Sequence, residues 1–332
     1  MFSGCLLEWY CRGHRDLPWR RTSDPYAIWV SEIMLQQTRV AAVIPYYERF
    51  LARFPTPQSL AAAAEDELLG SWAGLGYYSR VRNMQRAARE MNGRFPSTWE
   101  AMRQLPGIGD YTASAVASIA FGLPHAAVDG NVLRVLSRVT NDAGDIGSSL
   151  VKSRLAAAAE ARLDREQPGR YNQALMELGA TVCLPKSPQC LVCPVASFCQ
   201  ARAAGSQNAL PVKLRRAEIH RKTRRVYVVQ HEGSVLLWRR TEVTEKLVGF
   251  WELPEAEQFQ KAVPAGVPAG TFRHSITNHQ YTFEVVQVHV QKSRPSVLDG
   301  IESRWASIEQ LHDVVLSTTA RKAFMLLSVL AM

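Results

Sequence analysis

Four cysteines fall within 17 residues of this 332-residue chain, in the pattern C-x6-C-x2-C-x5-C, at Cys183, Cys190, Cys193 and Cys199. Three prolines interrupt the same stretch, so it is too short and too broken to fold around a core of its own. Zinc sites more often use two separated C-x2-C pairs, whereas one compact run of four thiolates suits an iron-sulfur cluster. The spacing therefore predicts a 4Fe-4S cofactor, with zinc or disulfides as the alternatives.

The chain carries an excess of positive charge. Its 39 Lys and Arg against 30 Asp and Glu give a net charge of +9. A polyanionic partner such as nucleic acid would explain this excess, and simple solubility is the other explanation. The cluster motif leaves only Cys5 and Cys11, so we expect no disulfide framework and a reducing compartment. We see no signal peptide and no run of about 18 apolar residues, and we expect a cytoplasmic protein without a membrane partner.

Apolar residues recur at helical spacing in the first part of the chain. The pattern is clear over residues 113–121 and 132–139 and persists to about residue 203. It predicts an all-α domain over residues 1–203 that includes the cysteine loop 183–199. The polar stretch at 204–218 contains a basic run and is predicted to be a linker.

Beyond the linker the hydrophobic period changes to two. Alternation over residues 225–230, 235–239 and 281–290 predicts three strands. A last helix is predicted over residues 318–330. We therefore expect a multidomain protein in which an all-α domain is followed by an α+β domain over residues 219–332.

A second motif, Leu105-Pro106-Gly107-Ile108-Gly109, is followed at once by an apolar helix. Glycines at 107 and 109 allow positive φ angles in the turn and expose backbone N–H groups at a helix N-terminus, where a phosphate oxygen can bind. A hairpin of this kind holds DNA without reading bases. A G-x-G pair alone is also found in ordinary tight turns, and the surrounding helices and basic charge favour phosphate binding.

Two carboxylates are candidates for chemistry. Asp129 stands at the start of the second helix predicted after the hairpin. It is either an N-cap or a group that stabilises positive charge on a sugar. Glu32 lies in a helix predicted from about residue 26 to 54, on a partly apolar stripe with Ile28 and Leu35. Burial there would favour its protonated form and make it a general acid, whereas the alternative is an ordinary solvent-facing glutamate.

The hairpin, Asp129 and the cysteine spacing resemble the helix-hairpin-helix, iron-sulfur DNA glycosylases, which include endonuclease III. Four segments are similar to the MutY-type adenine DNA glycosylases, namely 17–20 (LPWR), 29–38 (WVSEIMLQQT), 74–80 (GLGYYSR) and 128–131 (VDGN). Two further segments, 235–240 (VLLWRR) and 249–254 (GFWELP), resemble the Nudix-like domain of those enzymes. The resemblance implies a helix-hairpin-helix glycosylase domain with a 4Fe-4S cluster loop, followed by an α+β Nudix-like domain that recognises the lesion.

The resemblance also implies an activity, the excision of adenine mispaired with 8-oxoguanine or guanine in base excision repair. Glu32 would protonate the adenine, and Asp129 would stabilise the oxocarbenium-like sugar or trap it covalently, while Tyr111 and Asn131 arrange the site. Lyases of this superfamily have a lysine where this chain has Tyr111, so we expect base release without strand cleavage. Two alternatives stay open: a bifunctional, endonuclease III-like glycosylase and lyase, and a noncatalytic iron-sulfur DNA-binding module.

A base inside a duplex must be flipped out before it can be excised, and other residues must fill the gap. By resemblance, the wall of the adenine pocket is formed by Leu17, Trp19 and Arg20. The residues that wedge into the stack and contact the partner base are Gln37, Leu75 and Tyr77. The loop that reads the lesion contains Thr277 and Asn278. The last loop departs from the Phe-Ser-His that is usual in the family but keeps a hydroxyl and an amide donor. The expected partner is double-stranded DNA with an adenine mispair, bound by a monomer at a bacterial nucleoid.

Overall fold

In the computed structural model, the contacts within the chain define two compact units. The structure describes residues 1–214, 218–240, 249–260, 263, 265–276, 278–290, 295, 297 and 299–329. The first unit comprises Met1–Ala63 and Ser79–Arg216, and the second comprises Ala64–Tyr78 and Ala217–Met332. This grouping differs from the predicted domains, because residues 64–78 group with the C-terminal half and the first part of the predicted linker groups with the first unit.

The region up to residue 203 is helical, as its apolar spacing predicts. The helices of the described chain are, in order, α1 (Phe2–Gly13), α2 (Pro25–Leu35), α3 (Val40–Arg53), α4 (Pro57–Ala62), α5 (Glu65–Trp72), α6 (Ser79–Glu90), α7 (Trp99–Arg103), α8 (Asp110–Phe121), α9 (Gly130–Val139), α10 (Ser149–Glu160), α11 (Pro168–Thr181), α12 (Gln200–Ala203) and α13 (Thr318–Leu326). In the part of the chain that the structure describes, none of these helices has the length and apolar character needed to cross a bilayer.

Helix α2 is buried on all sides. The carboxylate of Asp24 accepts hydrogen bonds from the backbone N–H groups of Tyr26 (3.1 Å) and Ala27 (3.3 Å), and Pro25 occupies the first turn, so the predicted helix start is confirmed. The predicted single helix over 26–54 was wrong. The chain leaves the helix after Leu35 and turns through Gln37, whose φ is +58°, before α3 begins. A residue in the left-handed region cannot continue an α-helix, so the run is divided in two.

The predicted hairpin forms between α7 and α8, but its two glycines differ. Gly107 has a φ of +78°, and a Cβ added there would lie 2.8 Å from the Cβ of Asn83. Gly109 has a φ of −90° and is the N-cap of α8, so the expectation of positive φ at this position was wrong. Its lack of a side chain instead leaves the exposed N-terminus of α8 open. Leu105 and Ile108 are buried and fix the hairpin to the unit.

A hydrophobic core formed by α1, α9, α10 and α11 supports the cysteine loop. Leu6, Leu136 and Leu178 are fully buried in it. Burying each leucine side chain contributes roughly 1.5–3 kcal/mol. Cys183 and Cys193 pack against the edge of this core, so the loop starts from a rigid base even though it has no core of its own.

The first part of the predicted linker lies on the helical unit. The backbone N–H of Ile146 donates to the carbonyl of Val212 (3.0 Å), and the N–H of Leu214 donates to the carboxylate of Asp145 (3.3 Å). Leu210 is buried. Residues 210–214 are therefore held in place by backbone hydrogen bonds and by an acidic side chain.

The second unit contains a mixed sheet. Its described strands are β1 (His220–His231), β2 (Ser234–Arg239), β3 (Trp251–Glu252), β4 (Val267–Ile276), β5 (His279–His289) and β6 (Ser303–Ser307). They run in the order β3-β2-β1-β5-β4, with β6 also paired to β2. The β1–β5 pair is parallel and the others are antiparallel.

The α+β class of this half is confirmed, although three of its strands were missed. The three predicted strands correspond to β1, β2 and β5. Strand β4 contains Pro268 and Gly270 at a register shift, which hide its period, and β3 has only two residues. Helix α13 ends at Leu326 rather than at the predicted residue 330, which lies outside the described residues. Buried side chains of α13 join one core cluster with the sheet, and a smaller cluster includes Tyr227 and Phe259.

The hairpin geometry predicts that Gly107 and Gly109 respond differently to substitution. Gly107→Ala would place a Cβ against Asn83 and force a left-handed conformation, so we expect the unfolding free energy to fall by about 1–2 kcal/mol. Gly109→Ser, which enters open space at an N-cap, should leave it unchanged or slightly raised. Thermal unfolding midpoints of the two variants test this, and equal midpoints would contradict the assigned role of Gly107.

Candidate active site

A cleft of about 1020 Å³ opens in the first unit. Both candidate carboxylates and the hairpin glycines line it. Of the residues predicted from the sequence, the lining contains Leu17, Trp19, Arg20, Glu32, Gln37, Gly107, Gly109, Tyr111, Asp129 and Asn131. Segments far apart in the sequence thus meet in one cavity of a size that can hold a nucleobase and its sugar.

Glu32 projects from α2 and is only 6% exposed. The pKa of Glu32 is raised to about 7: burial is the main cause, a hydrogen bond from Tyr111 lowers the pKa, and the nearby charge of Asp129 raises it. The expectation of a desolvated, proton-holding glutamate agrees with this environment. Its alternative, an ordinary solvent-facing glutamate, is wrong.

Tyr111 lies in the first turn of α8 and contacts Glu32 directly. Its hydroxyl donates to Oε2 of Glu32 at 2.5 Å and lies 3.3 Å from the sulfur of Met176. Burial and the two acidic groups raise the pKa of Tyr111 well above its usual value, so the hydroxyl keeps its proton. The single donor proton of Tyr111 is therefore given to Glu32 and not to Asp129.

Asp129 is the N-cap of α9, and both of its carboxylate oxygens are engaged. Oδ1 accepts from the backbone N–H of Val132 at 2.7 Å, and Oδ2 accepts from the side-chain amide of Asn131 at 2.8 Å. The capping interpretation is thus correct, and it does not exclude the chemical one. The same two hydrogen bonds fix a half-buried carboxylate at the wall of the cleft.

A chain of hydrogen bonds extends from Asp129 to the cysteine loop. Oδ1 of Asn131 accepts from Arg134 (2.8 Å), whose guanidinium also donates to the carbonyls of Gly179 (2.8 Å) and Cys183 (2.9 Å). A Cβ added at Gly179 would lie 2.7 Å from the Cβ of Asn131, so α11 and the start of α9 pack closely here. Arg134 was not predicted from the sequence, because its partners are mostly backbone carbonyls.

A third acidic group of the cleft, Glu177, was not predicted from the sequence. Glu177 on α11 accepts from Arg15 through both oxygens (2.8 and 2.7 Å) and from Arg20 (2.7 Å). Burial alone would raise the pKa of Glu177, but these two guanidiniums overcome that effect and hold it at about 2. More than 150 residues separate Arg15 from Glu177 in the chain, so no local pattern could have paired them.

The predicted pocket walls are partly core. Leu17 and Trp19 are buried, and Trp19 packs edge-on against Tyr47 with ring centroids 5.4 Å apart. Both still line the cleft. Gln37, by contrast, is exposed on the turn between α2 and α3.

The other predicted DNA contacts belong to the second unit. Leu75 is 7% exposed, and its role as a wedge stays a prediction. Tyr77 is 42% exposed with a φ of +49°, an uncommon conformation for an aromatic residue. Thr277 lies outside the described residues, and the side-chain amide of Asn278 donates to the carbonyl of Glu218 at 3.2 Å.

The four clustered cysteines line a small pocket together with Arg138. The guanidinium of Arg138 is 1% exposed and donates to the sulfur of Cys183 at 3.2 Å. Burial raises the pKa of Cys183 and raises that of Cys193 to about 11, so metal binding would have to displace the protons. Four thiols without histidine, beside a buried cation, fit an iron-sulfur cluster, which takes one thiolate per iron. Among the residues that the structure describes, no three His, Cys, Asp or Glu side chains are arranged to hold a single metal ion.

Comparison with known proteins identifies the family. The model for the HhH-GPD superfamily of base excision DNA repair proteins matches residues 30–160. The human adenine DNA glycosylase is 36% identical over 97% of this chain and 73% of its own length. The chain belongs to the adenine DNA glycosylases. The enzyme of that name from Buchnera aphidicola subsp. Acyrthosiphon pisum (strain APS) is 34% identical over 73% of this chain and 71% of its own.

Solved structures agree with the fold of this adenine DNA glycosylase. A thermostable thymine-DNA glycosylase is 28% identical, with a TM-score of 0.55, over 61% of this chain and 95% of its own. An endonuclease III in a non-covalent DNA complex, 24% identical with a TM-score of 0.52, has the same helical fold. The protein is therefore a DNA N-glycosylase of base excision repair, a hydrolase with a helix-hairpin-helix domain.

The buried acid of this adenine DNA glycosylase should make its stability depend on pH. The pKa of Glu32 in the folded state is raised to about 7. The stability that Glu32 contributes to the folded state is therefore fully present below about pH 4.5 and is lost as the pH rises through 7. Glu32→Gln is neutral throughout, so above pH 8 we expect the variant to be more stable than the wild type by on the order of 2–3 kcal/mol. At pH 5 the two should be similar.

Thermal unfolding at pH 5 and pH 8.5 measures this difference. Glu90→Gln, at an exposed position of α6, is the matched control and should follow the wild type at both values. If Glu32→Gln also followed the wild type, Glu32 would be ionised across this range.

Proposed function

We propose that this enzyme is a monofunctional glycosylase that excises adenine opposite 8-oxoguanine or guanine, with Glu32 as general acid and Asp129 as the group that stabilises the sugar cation. One observation carries the proposal. A buried glutamate with a pKa of about 7 shares a cleft with a fixed, half-buried carboxylate, and a tyrosine stands where the lyases of the superfamily have their lysine.

The acid step follows from the environment of Glu32. Adenine leaves poorly as an anion, so its five-membered ring must accept a proton as the glycosidic bond breaks. A carboxylic acid with a pKa near 7 is half protonated at neutral pH and is matched to this transfer. After transfer, the hydroxyl of Tyr111 stabilises the carboxylate through its hydrogen bond to Oε2.

The second step concerns the sugar. Loss of adenine leaves an oxocarbenium-like deoxyribose, and the negative charge of Asp129 would stabilise it electrostatically or bond to it until water adds at the anomeric carbon. The hydrogen bonds from Val132 and Asn131 hold the carboxylate in place throughout. Water adds with loss of one proton and leaves an abasic site with both strands intact.

The cluster of Glu177, Arg15 and Arg20 would select adenine in the cleft. An ionised carboxylate accepts from the exocyclic amine of adenine, and adjacent guanidinium groups donate to its ring nitrogens. The two glutamates of the cleft thus have opposite tasks, since Glu177 has a pKa of about 2 and Glu32 one of about 7. Leu17 and Trp19 supply an apolar wall.

DNA is held by groups at and beside the cleft. The open N-terminus of α8 at Gly109 binds a backbone phosphate, and Gln37 enters the gap that the flipped adenine leaves. The net charge of +9 supports a duplex partner. We also propose that Tyr77 inserts beside the partner base, that Thr277 and Asn278 read 8-oxoguanine within a Nudix-like domain, and that the enzyme acts as a monomer.

We assign a 4Fe-4S cluster to Cys183, Cys190, Cys193 and Cys199. It would fix the fold of residues 183–199 when bound, and the chain's own residues then connect that loop to the site. Arg138 neutralises thiolate charge, and the hydrogen bonds of Arg134 join the loop to the group that holds Asp129.

The activity test uses duplexes with adenine opposite 8-oxoguanine, guanine or thymine, analysed with and without hot alkali. We expect abasic sites that break only after alkali, formed fastest opposite 8-oxoguanine. Borohydride should trap no covalent complex, because Tyr111 cannot form a Schiff base. Strand breaks without alkali would favour the bifunctional alternative, in which Lys152 at the cleft is the candidate amine, and equal rates opposite all three bases would contradict lesion reading.

Asp129→Asn separates catalysis from binding. The amide is isosteric but lacks the negative charge, so we expect the single-turnover rate of adenine release to fall by at least about 1000-fold. Affinity for the mispaired duplex, measured by fluorescence anisotropy, should stay within a few-fold of the wild type. An Asp129→Asn enzyme with full activity would refute the assignment.

A further inference from the structure

One arginine is bound to the C-terminal end of α2. Nη1 of Arg80, in the first turn of α6, donates to the carbonyl oxygens of Ile33 (2.8 Å), Met34 (3.2 Å) and Gln36 (2.7 Å). The last carbonyls of a helix have no partner within it, and a cation at that end is favourable. Arg80 therefore caps the C-terminal end of α2, although it is distant from α2 in the sequence.

The turn that Arg80 holds is strained. Gln37 has a φ of +58°, the left-handed region in which a residue with a Cβ is disfavoured. Two further hydrogen bonds lie within the turn: the backbone N–H of Thr38 donates to the carbonyl of Leu35 and its hydroxyl donates to the carbonyl of Gln36, both at 3.3 Å. The bond from Arg80 to the carbonyl of Gln36, at 2.7 Å, is shorter than either of these.

Strain at this position indicates that the side chain is used. Glycine would make the same helix ending without conformational cost. A long amide at a left-handed position instead points outward from the turn, and Gln36, Gln37 and Thr38 all line the cleft that contains Glu32. Strained residues of this kind are found where the surrounding structure fixes them for a purpose.

We propose that Arg80 is a positioning residue that holds the turn at residues 36–38 in the conformation from which Gln37 enters the base stack. The inference rests on the proposed function, because the wedge role of Gln37 is part of it. Arg80 is not among the residues that line the cleft. It lowers the cost of flipping by keeping the wedge formed before DNA binds.

The experiment is a double-mutant cycle on single-turnover adenine release by the full-length enzyme, with Arg80→Met, Gln37→Ala and the combined variant. On a duplex with adenine opposite 8-oxoguanine, we expect each single variant to be slower by about tenfold or more. Because Arg80 acts through Gln37, the combined variant should be no slower than the slower single variant.

A bulged, unpaired adenine serves as the substrate that needs little flipping. On it, Arg80→Met should be close to the wild-type rate, and the pH dependence of release should be unchanged, since Glu32 keeps its surroundings. Arg80→Lys keeps a cation and three donors and should recover part of the rate. Arg80→Lys also serves as the test variant if Arg80→Met lowers the thermal unfolding midpoint.

The outcomes separate the two proposals. If Gln37→Ala is slow but Arg80→Met matches the wild type, the inference about Arg80 is wrong and the wedge stands. Multiplicative effects in the combined variant, or an equal loss on the bulged adenine, would show that Arg80 acts elsewhere and would likewise overturn the inference. A wild-type rate for Gln37→Ala would remove the wedge role itself.

Discussion

The exclusion of water from Glu32 is the constraint on which the rest of the site depends. A carboxyl group 6% exposed on a helix buried on all sides cannot hold a negative charge cheaply, and its pKa rises to about 7. Tyr111 limits that rise by donating a hydrogen bond at 2.5 Å. The opposed effects leave an acid that can give up its proton near neutral pH and then be stabilised as an anion. Burial and one hydroxyl thus have the largest effects on the pKa of Glu32.

Helix α9 connects this chemistry to the cysteine loop. Its first residues hold Asp129, and its next turns carry Arg134 and Arg138, whose guanidinium groups bind the loop at Cys183 and its neighbours. A change in the loop would therefore be transmitted to the carboxylate through hydrogen bonds rather than through a flexible linker. This arrangement would give the proposed 4Fe-4S cluster a structural role.

The sequence predicted most of the cleft because its motifs are local. The cap at Asp24, the glycine hairpin and the helix start at Asp129 each depend on residues a few positions apart, and all were placed correctly. The network of Glu177, Arg15 and Arg20 depends on segments that meet only after folding. The partner of Tyr111 was missed for the same reason, since the hydroxyl could have reached either carboxylate. The break at Gln37 was missed because neither Gly nor Pro marks it, and Arg80 compensates from another helix.

The most direct test of the account is the pH dependence of single-turnover adenine release by the wild type and by Tyr111→Phe. If a protonated Glu32 drives the step, the wild-type rate falls above an apparent pKa near 7. In Tyr111→Phe the rate should fall only at a higher pH, because the lost hydroxyl lowers the pKa of Glu32 in the wild type. A rate that stays constant from pH 5 to pH 9 in both enzymes would contradict the buried acid as the source of the proton.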